Sequence, residues 1–151
     1  MRLALNQALF AGLFEFEAHF ARYPEGGFYA RHLDAFRPDQ RALPNAGLGA
    51  MARRSRVVSL VAFLNADWGE DDGGELVLWD AVAPGAGDGV DLAALEHVTP
   101  AAVLKPEAGG LVLMMSETIP HEVRPARRER LAIAGWWRVN ASIGGVIDPL
   151  R

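Results

Sequence analysis

The sequence predicts a mainly β domain, an antiparallel sandwich or barrel with a helix packed on its outside. One stretch near the start has helical periodicity, the rest of the chain is short apolar runs, and clusters of glycine and proline separate those runs. From Leu9 to Phe20 the residues Leu9, Phe10, Leu13, Phe14, Phe16 and Phe20 recur at helical steps, which predicts a helix over 9–20. Tyr23-Pro24-Glu25-Gly26-Gly27 ends it, since proline fixes one dihedral and the glycines allow a sharp reversal. Strands are expected near Phe28–Phe36, Val57–Leu64, Glu75–Trp79, Gly110–Met115, Glu122–Arg124 and Arg130–Val139. Between them stand Gly73-Gly74, the stretch Pro84-Gly85-Ala86-Gly87-Asp88-Gly89, and Pro106 through Gly110. The connections Arg37–Arg54 and Pro84–Pro100 are too long for plain turns and are candidate binding loops.

A chain of 151 residues has room for one domain, 1–151, and one hydrophobic core. Half of it is hydrophobic and 23% is charged, the balance of a folded globule rather than a disordered or fibrous chain. A net charge of -4 provides no broad basic field, so nucleic acid is not an expected partner. With no cysteine, any metal must be held by imidazole and carboxylate. Glu15 and Glu17 interrupt the apolar start and no apolar run is long enough to cross a bilayer, so a soluble cytoplasmic protein with no membrane partner is expected. Oligomeric state is left open.

In Arg31-His32-Leu33-Asp34 the imidazole and the carboxylate are two residues apart on an expected strand, which places them on one face. Far along the chain, His121 follows Pro120 at the opening of a late strand. Two histidines and one carboxylate, with coordination positions left open, form the ligand set of a non-haem Fe(II) oxygenase. A site closed by four protein ligands would have no place for a chelating 2-oxo acid and O2. Arg130 opens the last strand, and alternation puts Arg130, Ala132, Ala134 and Trp136 on one face and Leu131, Ile133 and Trp137 on the other. The first face joins a guanidinium to methyl-sized side chains and reads as a pocket wall, where arginine can clamp a carboxylate with two parallel hydrogen bonds. The second reads as packing against the helix.

Here the residues reach a known family. Tyr23 through Asp34 resembles the metal-binding strand of the prolyl hydroxylase domain enzymes that include the hypoxia sensors. Arg56 through Trp68, Asp72-Gly73-Gly74-Glu75-Leu76, His121 through Pro125, and Arg130 through Trp136 follow in the family's order, so the resemblance spans Leu5 to Val139. It implies a double-stranded β-helix, a jelly-roll or cupin-like barrel. It also implies an Fe(II)- and 2-oxoglutarate-dependent dioxygenase that hydroxylates a prolyl residue of a protein or peptide, with release of succinate and CO2. Fe(II), 2-oxoglutarate and O2 are the implied cofactors and cosubstrates, with ascorbate as an accessory. Catalytic metal ligation falls to His32, Asp34 and His121, and the distal carboxylate of 2-oxoglutarate to Arg130. Two departures stand out. Phe63 occupies a position that is usually tyrosine, so a donor to the cosubstrate is lost unless Tyr23 or Tyr29 supplies it. The related enzymes also carry more sequence ahead of the helix, which suggests a catalytic domain lacking an N-terminal segment.

Plainer readings exist for most of these residues. His32 with Asp34, taken alone, is an ordinary hydrogen-bonded pair, and Arg130 beside Arg124, Arg127 and Arg128 could be part of a charged hairpin. His97 sits in a polar stretch without a partner at ligand spacing, and Glu70-Asp71-Asp72 lacks the spacing of a calcium loop. Arg56, near the substrate entrance by resemblance, and Trp136, on the Arg130 face, are candidate substrate contacts; Arg53 and Arg54 read as a solvated loop edge. The rival functions are an oxygenase of a free amino acid or other small molecule, and a non-catalytic module that keeps the fold.

Overall fold

The computed structural model describes residues 1–35, 56–82 and 91–139. The connection 37–54, the stretch 84–89, Phe36, Arg53 and Arg54 lie outside the described residues. A helix, α1 (Arg2–Leu9), leads into strands β1 (Leu13–Tyr23), β2 (Tyr29–His32), β3 (Arg56–Phe63), β4 (Leu76–Leu78), β5 (Ala102–Leu104), β6 (Leu111–Met115), β7 (His121–Val123) and β8 (Arg130–Val139). Among the described residues these form two antiparallel four-stranded sheets, ordered β1-β8-β3-β6 and β2-β7-β4-β5. The expectation of a mainly β chain with a flanking helix holds.

The helix expected over 9–20 is corrected: α1 ends at Leu9, and Leu13–Tyr23 is a strand paired along the length of β8, from Leu13 opposite Val139 to Tyr23 opposite Arg130. Phe14, Phe16 and Phe20 fit a period of two as well as a helical one, and a ladder with β8 pairs the inward-facing backbone groups of the segment from Glu15 to Tyr23. Phe10 (φ 50°) and Gly12 (φ 62°) adopt the left-handed conformation that stops the helix. Asn6 then ties α1 to the strand, its amide donating to Leu13 O at 2.9 Å and its side-chain oxygen accepting from Leu13 N at 2.6 Å. β5 was not expected; it is a three-residue edge strand with too short an apolar run to announce itself.

Apolar residues divide between two clusters. Between the sheets, Phe63 from β3 packs with Leu76 from β4 and Val123 from β7, and Tyr23, Val61, Leu78, Leu104 and Val112 close around them. On the outer face of the β1-β8-β3-β6 sheet, Trp137 packs with Leu13, Val58 and Leu60, and Leu5 of α1 covers them. The expected packing of this face on a helix over 9–20 is corrected with that helix: the cluster holding Trp137 is instead packed by Leu5 of α1, Arg2–Leu9. Phe16 of β1 lies against Trp137, ring centroids 4.5 Å apart, over Gly135, where a methyl group would sit 2.6 Å from the Phe16 ring.

The buried Asn65 side chain joins three segments. It donates to Pro106 O at 2.7 Å and Leu131 O at 3.0 Å, and it accepts from Leu131 N at 2.6 Å. Removing it leaves buried backbone groups unpaired, each at the cost of desolvation. Asn65→Ala is expected to lower unfolding free energy by about 2–4 kcal/mol, read from urea denaturation against the unmodified chain.

Candidate functional site

The inner face of the β2-β7-β4-β5 sheet sets two imidazoles side by side. His32 is opposite His121 in the β2–β7 pair, and Leu78 is opposite His121 on the other side. Three residues from Tyr29 to His32 span two from Val123 to His121, and this register shift turns His32 inward beside its neighbour. Asp34 is not on the strand as expected, because β2 ends at His32. The chain bends there, and Ala35 N donates to Ser116 O at 3.0 Å, which carries Asp34 back beneath the histidines.

The result is one cluster among the described residues in which ligand atoms of His32, Asp34 and His121 all lie within 4.8 Å of one another. His32 Nε2 is 3.4 Å from Asp34 Oδ1, and His121 Nε2 is 3.5 Å from Asp34 Oδ2. Each histidine has its Nδ1 on a backbone carbonyl, His32 on Ala30 O at 2.9 Å and His121 on Ile119 O at 3.0 Å. A carbonyl only accepts, so both Nδ1 atoms carry a proton, and both Nε2 atoms face the carboxylate. Burial pushes the His121 imidazole below its ordinary pKa, against the pull of Asp34, which favours the neutral ligating form. Burial alone would raise the Asp34 carboxyl. The His32 hydrogen bond, the charge of His121 and the Ser59 hydroxyl outweigh it and hold the carboxyl well below the usual range.

Ser59 is a neighbour of the cluster that motif reading missed. Its hydroxyl donates to Asp34 Oδ2 at 2.6 Å and lies 2.8 Å from Ser116 Oγ. The signal was available: alternation puts Ser59 on the inward face of β3 with Val61 and Phe63, one hydroxyl on an otherwise apolar row.

The cluster opens on a cavity of about 280 Å³. Arg130, Ala132, Ala134 and Trp136 of β8 all line it, the face that strand alternation selects. Arg130 is 1% exposed; its Nε donates to Gly74 O at 2.8 Å, while its buried Nη2 has no partner among the described residues. Gly74 can offer that carbonyl because its φ of +70° suits glycine and because a side chain there would press on Arg130 Cδ at 3.0 Å. Tyr23 faces Arg130 across the β1–β8 pair, with the guanidinium carbon 5.0 Å from its ring centre, and Phe63 stands 5.5 Å away. Burial raises the Tyr23 pKa, against the pull of Arg130, and so keeps the phenol protonated as a donor. Tyr29 also lines the cavity, its ring 4.4 Å from that of His32.

The remaining candidates separate clearly. Arg56 and Trp136 both line the cavity and stack on each other, guanidinium carbon 3.7 Å from the ring centre. Arg128 instead pins a loop by donating to Ala66 O and Asp67 O and pairing with Asp72 at 3.0 Å. His97 is exposed at the end of a short 3-10 turn, Ala94–His97. Asp72 caps the turn Glu70–Asp72 by accepting from Gly69 N.

A half-buried two-histidine, one-carboxylate cluster on the same cavity as a guanidinium with an unpaired Nη2 among the described residues matches a class: a centre suited to one divalent ion and an acidic chelating ligand, as in the non-haem Fe(II) oxygenases. The comparison with known proteins agrees. The family model of the 2OG-Fe(II) oxygenase superfamily matches residues 18–138, and the chain belongs to that family. Its fold is therefore the double-stranded β-helix, and Fe(II), 2-oxoglutarate and O2 are the cofactors that membership implies. The structure is similar to a prolyl-4-hydroxylase of Pseudomonas putida, 43% identical with a TM-score of 0.66, over 91% of this chain and 60% of that one. It is also similar to a Trichoplax adhaerens prolyl hydroxylase solved with a hypoxia inducible factor oxygen degradation domain peptide fragment. That protein is 27% identical, with a TM-score of 0.56, over 83% of this chain and 45% of the other. The chain thus spans about half the length of these relatives. Prolyl 4-hydroxylases from Phytophthora capsici, 22% identical with a TM-score of 0.62 over 98% of this chain and 41% of theirs, share the fold. No curated protein sequence matches the chain.

The residues present fit the implied ion, since the donor set, the fixed tautomers and the ionised carboxylate are those a divalent metal requires. Ser59→Ala, which removes the hydroxyl from Asp34 Oδ2, is expected to weaken Mn(II) binding by about tenfold, measured by isothermal titration.

Proposed function

We propose that the domain is a 2-oxoglutarate-dependent dioxygenase that hydroxylates a prolyl residue of a protein or peptide, releasing succinate and CO2. The observation that best supports this reading is the buried, unpartnered Nη2 of Arg130 on the same cavity as His32, Asp34 and His121. A lone buried cation donor is costly unless a ligand completes it, and the distal carboxylate of 2-oxoglutarate has the charge and geometry to do so. The prolyl substrate rests on the likeness to the two prolyl hydroxylases and is the more specific part of the proposal.

In this reading His32, Asp34 and His121 hold Fe(II). When bound with 2-oxoglutarate, the metal supplies the oxidation, one atom of O2 ending in succinate and the other in the substrate hydroxyl. Everything else is the chain's contribution. Ser59 and the Ile119 and Ala30 carbonyls fix the three ligands in orientation. Arg130, oriented by the Gly74 carbonyl, binds the far carboxylate. Tyr23 supplies the hydroxyl that Phe63 lacks, and Tyr29 packs the His32 ring. Ala132 and Ala134 leave the volume that the cosubstrate fills. The apolar cluster of Phe63, Leu76 and Val123 keeps water from the cavity wall.

Succinate release from 2-oxoglutarate is expected only with Fe(II). It should fall to background in His121→Ala, and the activity should be lost on treatment with a chelator and restored by Fe(II). Unmodified chain that binds Fe(II) without any 2-oxoglutarate turnover, with or without substrate, would refute the enzymatic reading. Proline-containing peptides are expected to stimulate succinate release where free amino acids do not, and the reverse pattern would transfer the substrate assignment to small molecules. Tyr23→Phe is expected to raise KM for 2-oxoglutarate about fivefold through loss of one hydrogen bond, with little change in Fe(II) affinity.

A further inference from the structure

The rim of the cavity carries a charge ladder that neither metal nor cosubstrate binding requires. Arg56 lies flat on Trp136, and the His19 ring meets the same indole, 5.3 Å between centroids. Arg56 Nε donates to Glu17 Oε1 at 2.8 Å, and Arg56 Nη2 forms an ion pair with the same oxygen at 2.8 Å. The other Glu17 oxygen is 3.8 Å from Arg138 Nη1, and Arg138 Nη2 pairs with Glu15. Two carboxylates and two guanidiniums thus alternate across β1, β8 and β3, and their charges cancel. Arg56 and Glu17 side chains are only 16% and 31% exposed, so their interaction is screened less than that of a surface pair.

An arginine stacked on an aromatic ring at a cavity rim, without a partner, would draw carboxylates strongly. Glu17 removes that attraction while leaving the flat Arg56–Trp136 surface in place. We propose that Glu17 is a specificity-determining residue: by balancing Arg56 on the Trp136 face it makes this wall of the rim neutral, so that it receives uncharged residues flanking the target and does not select acidic ones. This rests on the reading that the substrate is a peptide, and its test uses binding rather than turnover.

Two fluorescein-labelled proline-containing peptides, one with alanine and one with glutamate on both sides of the proline, are titrated by anisotropy against the 151-residue chain. Mn(II) and 2-oxoglutarate are present and O2 is excluded. The unmodified chain is expected to bind the glutamate peptide no better than the alanine peptide. Glu17→Gln, which keeps the shape and removes the charge, shifts the ratio of affinities about fivefold towards glutamate at low salt. Adding Arg56→Gln to Glu17→Gln restores neutrality and returns the ratio, which a purely structural role for Glu17 would not do. Glu17→Asp keeps the charge and holds the original ratio. An unchanged ratio in Glu17→Gln, a shift that persists in the double variant, or no binding of either peptide by the unmodified chain overturns the inference. None of these outcomes touches succinate release from 2-oxoglutarate, so the oxygenase reading stands or falls separately.

Discussion

The pairing of β2 with β7 is the constraint on which the site depends. It brings two histidines from opposite ends of the chain to one level of one sheet, and the register shift between Tyr29 and His32 makes them face the same way. A slip of one residue would turn His121 to the other face of the sheet and leave its partner alone. Residues around the pair reinforce this register. Beside the histidines, Arg31 Nη2 and Glu122 Oε2 form an ion pair at 3.1 Å across the same two strands, and Arg31 lies over Trp79 at 3.9 Å. Trp79 N in turn donates to Pro120 O, directly ahead of His121. These bonds fix the scaffold from behind while Ser59 fixes the carboxylate from the opposite sheet.

The second sheet walls the cavity onto which the two histidines of the first open. β8 runs through its middle, between β1 and β3, and its inward residues form a graded surface from the buried Arg130 through two alanines to Trp136 at the rim. The small side chains matter because the neighbouring inward positions on β3 are large; Phe63 is opposite Ala132 and Val61 is opposite Ala134. Space for a ligand is thus made on one strand and walled by the next. The same strand carries the outer cluster through Trp137, so consecutive tryptophans serve the cavity and the hydrophobic layer under α1.

Much of this was legible in the sequence because the relevant signals are local. The strand period gave the face of β8, the Gly73-Gly74 pair marked a break before the strand that holds Leu76, and His32, Asp34 and His121 pointed to one centre. What failed did so for physical reasons. Over 9–20, phenylalanines fit two periodicities, and the decision was made by a partner strand more than a hundred residues later, which no local pattern reveals. Asp34 reached its place through a bend and a hydrogen bond to Ser116 rather than by strand alternation. The ladder from Glu15 to Arg56 was invisible because its members are far apart in the chain and meet only through the β1-β8-β3 register.

The ligand set has one more consequence. His32 and Asp34 belong to an early segment and His121 to a late one, so a cation held by all three would act as a clasp between the two ends of the domain. Such a clasp removes configurational freedom from the unfolded chain roughly as the logarithm of the loop it closes, and here that loop takes in half of the described strands, β3 to β6. A bound metal would then stabilise the fold as well as complete the centre, and metal-free molecules would unfold the more readily.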